Sequence, residues 1–125
     1  KYMKDKEVGY HAFNMYAFAC LFDTVPDSDF WFSSQFNAAL HYLANDEYIG
    51  GIFKSKYGFP YNPPGYEVAY VYKIFKKESI RDVSMALMAL QLAIDFHGKK
   101  DSGVQVPCDK LTNDARFYEA VRILS

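Results

Sequence analysis

Hydrophobic residues recur at helical spacing in six segments of the chain, and the stretches between them are rich in Pro, Gly, Asn and Asp. Apolar side chains three or four positions apart lie on one face of an α-helix, so this periodicity predicts helices rather than strands. The predicted helices cover residues 8–22, 30–44, 47–53, 66–76, 80–96 and 112–124. Strand signals are weak and confined to a short extended piece at residues 103–107. The pattern therefore predicts an all-α fold.

Two of these segments, residues 8–22 and 80–96, are apolar around most of the helix, whereas residues 30–44 and 66–76 are amphipathic. A helix that is hydrophobic on every side is typically buried on every side. Cys20, within the first segment, is accordingly expected to be a small buried hydrophobic residue. One buried and one half-exposed helix make the antiparallel pairs of α/α barrels and solenoids. We therefore expect antiparallel helix pairs, forming a partial toroid or an array of helical hairpins.

Capping patterns predict where several helices begin. Ser79 and Asp82 match the S-x-x-[DE] capping box, which would start the helix at residues 80–96. Thr112 or Asn113 is predicted to cap the last helix. Gly50 and Gly51 should weaken the short helix at residues 47–53, and residues 99–109 are predicted to form a loop.

The size and composition of the chain limit the number of domains and the partners that it can have. The 125 residues, at 14.4 kDa, fit one domain, residues 1–125, with room for a real core. The net charge is −1, so no basic excess exists to neutralise phosphates, and nucleic acid is not an expected partner. No apolar run is long enough to cross a bilayer, and we expect no membrane contact. The chain begins on Lys1 and ends within a predicted helix, so we expect a piece of a longer polypeptide.

A stiff aromatic loop at residues 56–67, KYGFPYNPPGYE, separates the third and fourth predicted helices. The backbone around Pro60, Pro63 and Pro64 is predicted to be non-helical, because proline lacks an N–H and restricts the preceding residue. This composition is unlike a solvated linker. The loop either presents tyrosine hydroxyls, an amide and a carboxylate at one place, or packs its rings over the helix ends.

A polar group of Tyr10, His11 and Asn14 opens the first helix, where His11 and Asn14 share a face. It is interpreted either as a sugar-binding or acid/base patch, or as one buried histidine bonded to loop carbonyls. The spacing of the histidines and cysteines matches no metal motif, and no phosphate-binding glycine loop is present. We therefore predict no metal and no cofactor, and the pairing of Cys20 with Cys108 stays open.

Glu67 lies at the predicted start of a helix, where the helix dipole favours a carboxylate. That role is sufficient by itself, but Glu67 is also a candidate for half of a glycosidase-like carboxylate pair. Its partner would be one of three carboxylates, namely Asp95, Asp109 or Glu119. Arg116 and Glu119, three positions apart, are predicted to form an ion pair.

Tyrosines crowd the loop, with Tyr57, Tyr61 and Tyr66 within ten positions. A flat ring with a hydroxyl can stack on a sugar face and hydrogen-bond to its edge. The same rings could line an interface with another chain. The candidate substrate-binding residues are Tyr10, Asn14, Tyr57, Tyr61, Asn62 and Tyr66.

Three stretches together resemble the (α/α) toroid superfamily: GYHAFN at 9–14, KYGFPYN at 56–62 and ARFYEA at 115–120. These are the helical barrels of glycoside hydrolases, polysaccharide lyases and sugar epimerases. The resemblance implies apolar inner helices, amphipathic outer helices and a sugar site in the loops at one end, with Glu67 and His11 as candidate catalytic residues. A complete toroid needs more helix pairs than this chain holds. The resemblance therefore implies part of a larger barrel, its C-terminal part, completed by further helices of the parent chain or by a partner.

Two functions remain as hypotheses. The first is a domain that binds or processes carbohydrate, with an oligosaccharide held where residues 10–14 meet residues 57–67. Any reaction would be acid/base chemistry of the hydrolase, lyase or epimerase kind, and whether one occurs stays open. The alternative is a non-catalytic interaction or oligomerisation domain. A toroid fragment would expose the flank of its apolar helices, which predicts self-association.

Overall fold

The computed structural model describes residues 2–97 and 110–124, which form six α-helices and two short 3₁₀ helices. The α-helices are α1 (Tyr2–Thr24), α2 (Ser34–Tyr42), α3 (Asp46–Ile52), α4 (Pro64–Phe75), α5 (Arg81–His97) and α6 (Lys110–Leu124), and the 3₁₀ helices are Asp29–Phe32 and Glu78–Ile80. No strand occurs among the described residues, so the all-α prediction is confirmed. The predicted loop at 99–109, the extended piece at 103–107 and Cys108 lie outside these residues.

Helix α4 is the centre of the fold, since it packs against α1, α5 and α6. Every residue from Pro64 to Ala69 is buried, as is Val71. The sequence had assigned full burial to residues 8–22 and 80–96 instead. Hydrophobic periodicity shows which sides of a helix tolerate burial, but the number of neighbouring helices decides which sides are covered.

The expectation that α1 and α5 are buried on every side was wrong. Cys20 and Leu21 on α1 are exposed, as are Met85 and Leu90 on α5. Cys20 is therefore not a buried hydrophobic residue. Both helices pack one side against α4 and leave apolar residues on another side in contact with solvent.

The largest aromatic cluster surrounds Trp31, which the 3₁₀ helix Asp29–Phe32 places in the core. The Trp31 indole nitrogen donates a hydrogen bond to the Val25 carbonyl oxygen at 2.7 Å, so its polar edge is satisfied. Five phenylalanine rings lie with their centroids 5.1–6.4 Å from that of Trp31, namely Phe18, Phe22, Phe30, Phe36 and Phe75. This cluster ties the end of α1 to α2 and to the end of α4.

Two predicted helix caps were wrong. Ser79 lies inside the 3₁₀ helix Glu78–Ile80, and its hydroxyl shares a 2.7 Å hydrogen bond with His41 Nδ1. Thr112 and Asn113 lie inside α6, which begins at Lys110. In both cases a short turn extends the helical segment ahead of the capping pattern, so the polar residue no longer stands at its start.

Helix α3 forms although it contains Gly50 and Gly51. The Asn45 side chain caps it by accepting a 2.8 Å hydrogen bond from the Glu47 amide. Its residues Tyr48 and Ile52 are buried in the main hydrophobic core. The cap and the burial offset the low helix propensity of glycine.

Helix α4 begins two residues before its predicted start at residue 66, and the prediction that the backbone at Pro64 is non-helical was wrong, because Pro64 is the first residue of α4. Proline is tolerated there, since the first amide of a helix has no partner within the helix. The loop lies directly against α1: a Cβ atom at Gly9 would be 2.5 Å from the Tyr57 Cβ. Only glycine fits such a close approach, so Gly9 brings the loop onto the start of the first helix.

Candidate functional site

The eight residues selected from the sequence occupy three environments in the fold. Tyr10, Tyr57 and Tyr61 are half-buried on one surface, His11 and Asn14 line a separate cleft, and Asn62, Tyr66 and Glu67 are buried. Residues 10–14 do contact the loop, as predicted. The candidate residues nevertheless lie in three separate places and do not surround one point.

The surface group, here called the tyrosine face, consists of Tyr10, Phe13, Tyr57 and Tyr61. The Tyr10 ring centroid lies 5.5 Å from that of Tyr57 and 5.9 Å from that of Phe13. Tyr57 and Tyr61 pack edge to face with centroids 6.0 Å apart. Contacts of this kind fix the orientation of the rings.

Asn62 holds this loop in place from inside. It is buried, and its side-chain amide donates hydrogen bonds to the carbonyl oxygens of Tyr57 at 2.6 Å and Gly9 at 3.3 Å. One side chain therefore joins the loop to α1. The amide that the sequence suggested as a ligand donor is engaged within the protein, and it positions the tyrosine face.

His11 and Asn14 line a cleft of about 320 Å³ on another side of α1. His11 Nε2 shares a 2.9 Å hydrogen bond with the Ala39 carbonyl oxygen, which belongs to helix α2 and not to a loop. Burial lowers the pKa of His11, so the neutral ring is favoured near pH 7. The interpretation of His11 as a buried histidine bonded to loop carbonyls therefore holds only in part: its ring nitrogen is bonded, but His11 is half-buried and its partner is a helical carbonyl.

Glu67 is fully buried, at 0% exposure, and forms an ion pair with Arg116. Arg116 Nε donates to Glu67 Oε2 at 3.3 Å, and the guanidinium carbon lies 3.6 Å from the Tyr16 ring centroid and 5.4 Å from that of Phe13. The Arg116 side chain is 14% exposed. Arg116 thus lies between Glu67 and solvent, beside the tyrosine face, and links α6 to α4 and α1.

Burial dominates the ionisation of Glu67. Burial raises the pKa of Glu67 to about 7, although the charge of Arg116 and its hydrogen bond act in the opposite direction. A carboxyl group with this pKa exchanges its proton near neutral pH, which is the property required of a general acid or base. Glu67 Oε1 has no hydrogen-bond partner among the described residues.

Tyr48, on α3, is a member of this site that sequence reasoning missed. It is fully buried, and its hydroxyl also lacks a partner within the described part of the chain. Burial, followed by the charge of Glu67, raises the pKa of Tyr48 well above its ordinary value. Nothing in the local sequence distinguishes Tyr48, because its role depends on burial by other parts of the fold.

Tyr66 is not part of the tyrosine face. It is fully buried, and its hydroxyl donates a 2.5 Å hydrogen bond to Asp95 Oδ2 on α5. Burial and this bond raise the pKa of Tyr66. Asp95, suggested as a carboxylate partner of Glu67, instead accepts this bond, and the hydroxyl of Tyr66 is used inside the protein.

Within residues 2–97 and 110–124, no group of three or more His, Cys, Asp or Glu residues could hold a metal ion. Among the described helices, none combines the length and apolar character required to cross a membrane.

Comparison with known proteins finds one informative similarity. No family model matches the chain, and no solved structure matches it. The chain is 31% identical over 121 residues to archaeal glycosylation protein Q of Haloferax volcanii. The alignment covers 97% of this chain and 32% of that relative, so the chain spans about a third of the relative's length.

Proposed function

We propose that this chain has a glycosylation-related role and that it binds or processes carbohydrate at the tyrosine face. The observation that carries the proposal is Glu67, a buried carboxyl whose pKa is near 7, beneath Arg116 at the edge of that face. The name of the similar archaeal protein supports the broader role.

The tyrosine face supplies what a sugar ring requires. Its rings offer flat apolar surfaces for the C–H groups of a pyranose, and tyrosine hydroxyls can bond to the ring's edge. The half-buried rings of Tyr10, Tyr57 and Tyr61 are held by one another and by the backbone contacts of Asn62. Binding to a surface ordered in advance costs less conformational entropy.

Glu67 is the candidate acid or base of this site. Arg116 separates it from solvent, so a proton passes between Glu67 and a bound sugar only if the Arg116 side chain moves aside. Until then, Glu67 positions Arg116 through the 3.3 Å bond to its Nε atom. His11 has no part in this proposal, because it lines the separate cleft and its Nε2 atom is bonded to Ala39.

The same proposal makes the six helices one part of an (α/α) toroid. Further helices would cover the apolar residues that α1 and α5 expose, such as Leu21 and Met85. The length of the similar protein, of which this chain spans about a third, supports such an arrangement.

The test is a thermal-unfolding screen against neutral sugars, uronic acids and oligosaccharides. A ligand present at 100 times its dissociation constant adds about 2.7 kcal/mol of stability. We expect one sugar class to raise the unfolding temperature of the wild-type chain and to lose that effect in Tyr61→Ala. Tyr72→Ala is the matched control, since Tyr72 is also half-buried but lies towards the other end of α4. No response to any sugar, or an equal response in Tyr61→Ala, would contradict the proposal.

A second candidate function is self-association through α6. Three of its exposed residues lie on one face by helical spacing, and they are 83%, 83% and 64% exposed: Leu111, Tyr118 and Val121. Exposed apolar surface of this kind marks interaction sites. Sedimentation velocity over a concentration series should show dimers or larger species that Val121→Lys converts to monomers. A monomer at every concentration would exclude this function.

A further inference from the structure

A cavity of about 770 Å³ opens beside the tyrosine face. Its walls come from residues 4–8 of α1, residues 47–51 of α3 and residues 54–56, which follow α3. A volume of this size is within the range of small-molecule sites. It is larger than the neighbouring cleft of His11 and Asn14, and the proposed function gives it no role.

The backbone around this cavity is held by internal contacts. Ser55 is buried, and its hydroxyl donates to the Asp5 carbonyl oxygen at 2.7 Å and accepts from the Tyr57 amide at 3.1 Å. Helix α3 lies close against α1, since a Cβ atom at Gly51 would be 2.7 Å from Val8 Cγ1. The walls are therefore fixed before a ligand binds, which lowers the entropic cost of binding.

Positive charge exceeds negative charge around the cavity, although the whole chain has a net charge of −1. The charged residues that line it are Lys4, Asp5, Glu47, Lys54 and Lys56. Lys4 Nζ lies 2.7 Å from Glu47 Oε1, so the charges of these two side chains compensate one another. The Lys54 ammonium makes no ion pair or hydrogen bond among the described residues. It is therefore available to a ligand.

Tyr57 connects this cavity to the tyrosine face. The Lys56 Nζ atom lies 5.0 Å from the Tyr57 ring centroid, and the Lys6 Nζ atom lies 6.0 Å from it. When Lys6 is included, four lysines and two carboxylates lie around the cavity, so cations exceed anions by two. An anionic group bound by Lys56 would lie next to a sugar ring held by the tyrosine face.

We propose that this cavity is a phosphate-binding site, which takes the phosphate group of a sugar whose ring lies on the tyrosine face. The sugar part rests on the proposed function, whereas the phosphate part rests on the cavity and its lysines. A phosphate monoester carries a charge of about −1.5 to −2 at pH 7, which matches the excess of lysine. Lysine binds phosphate as a point charge, whereas the planar fork of arginine suits a carboxylate. None of the described residues that line the cavity is an arginine, so a sugar phosphate fits it better than a uronic acid.

The experiment is a phosphorus-31 NMR titration of inorganic phosphate with the wild type and with the double variant Lys54→Met, Lys56→Met. Methionine keeps an unbranched apolar side chain but removes the charge. We expect the dissociation constant to rise about tenfold in the double variant, because two charge-assisted contacts are lost. Lys76→Met is the matched control and should bind phosphate as the wild type does. Lys76 Nζ lies 5.8 Å from the ring centroid of another half-buried tyrosine, Tyr72, at the opposite end of α4.

Removing a carboxylate should have the opposite effect. Glu47→Gln releases Lys4 from its ion pair and makes the cavity more positive, so we expect the dissociation constant of inorganic phosphate to fall about threefold. The titrations are run at low ionic strength, where exposed charges are least screened. No binding of phosphate by the wild type, or equal dissociation constants in the wild type and the double lysine variant, would overturn the proposal.

Sugar phosphates separate this proposal from the proposed function. We expect at least one of glucose 1-phosphate, galactose 1-phosphate and mannose 1-phosphate to bind more tightly than inorganic phosphate. Tyr61→Ala should remove that advantage and leave the binding of inorganic phosphate unchanged. Lysine-dependent phosphate binding without any preference for a sugar would support the phosphate site and contradict the proposed function. A sugar that binds in the thermal screen while phosphate does not bind would overturn the phosphate site alone.

A lipid headgroup is the other source of a phosphate monoester. The competitors are vesicles of phosphatidylcholine that contain phosphatidic acid, and glucuronic acid as a carboxylate. We expect sugar phosphates to displace bound inorganic phosphate more effectively than either. Displacement by the vesicles or by glucuronic acid, at concentrations where the sugar phosphates have no effect, would overturn the proposal.

Discussion

The ionisation of Glu67 should make the fold less stable as the pH rises through neutrality. The pKa of Glu67 rises from its ordinary value of 4.5 to about 7 in the folded protein. Between these values the folded state holds a proton that the unfolded state has released, so increasing pH favours unfolding. The contribution is fully present below pH 4.5 and is lost as the pH passes 7. The difference corresponds to about 3 kcal/mol, a large part of a typical domain's stability.

The assay is urea unfolding between about pH 4.5 and pH 8.5 for the wild type and Glu67→Gln. Glutamine has a similar shape, stays neutral throughout and keeps an oxygen for Arg116. The difference between the two curves therefore cancels the other titrating groups. We expect Glu67→Gln to gain about 3 kcal/mol relative to wild type from the lowest pH to the highest. Arg116→Met should move the midpoint to higher pH, since the Arg116 charge lowers the pKa of Glu67.

Glu47→Gln is the control for this experiment. Glu47 is an exposed carboxylate paired with Lys4 at 2.7 Å, and such surface pairs contribute at most about 1 kcal/mol. Its curve should run almost parallel to that of the wild type. Parallel curves for Glu67→Gln as well would refute the reasoning. A wild type that gains stability over Glu67→Gln with rising pH would refute it more strongly, because that requires a lowered pKa.

Three further predictions concern the scaffold. Gly65→Ala should destabilise the fold by about 1–3 kcal/mol, because a Cβ there would lie 2.5 Å from the Leu87 carbonyl oxygen. In Gly50→Ala the new Cβ meets no atom within 4 Å, and the substitution should stabilise the fold by about 0.5–1 kcal/mol. Equal changes in the urea midpoint of the two variants would contradict both predictions. Ser33→Ala should lower the stability of the fold by about 1 kcal/mol, since the Ser33 hydroxyl caps α2 by accepting from the Phe36 amide at 3.2 Å. An unchanged unfolding temperature would contradict this prediction and show that water replaces the cap.

The helices were predictable because their signals are local. Each predicted apolar segment corresponds to one of the six α-helices, although α1 begins six residues before its predicted start at residue 8 and α2 begins four residues after its predicted start at residue 30. Which residues of each helix are buried was less predictable. Cys20 and Met85 lie in segments that are apolar on most sides, yet both are exposed. Their environment depends on which helices lie beside α1 and α5, and no periodicity within one helix contains that information.

The polar interior was the least predictable part of the site. Glu67 was selected for its position at a helix start, but its partner, Arg116, lies 49 positions away. The sequence suggested that Arg116 would pair with Glu119, its neighbour on the same helix. A salt bridge between two helices depends on how they pack, so spacing along one of them cannot reveal it. Tyr48 was missed for the same reason.

The aromatic excess of the sequence, 11 Tyr and 11 Phe, has two different uses in the fold. Phe75, near the end of α4, joins the cluster around Trp31, whose rings lack hydroxyls and fill the core. Glu67 lies eight residues earlier on α4, about 12 Å away at 1.5 Å per residue. Near that position, the Arg116 guanidinium lies over the Tyr16 ring. Composition alone cannot separate these uses, but α4 does: it places Phe75 in the packing cluster near one end, and Glu67, whose partner Arg116 lies over the Tyr16 ring, near the other.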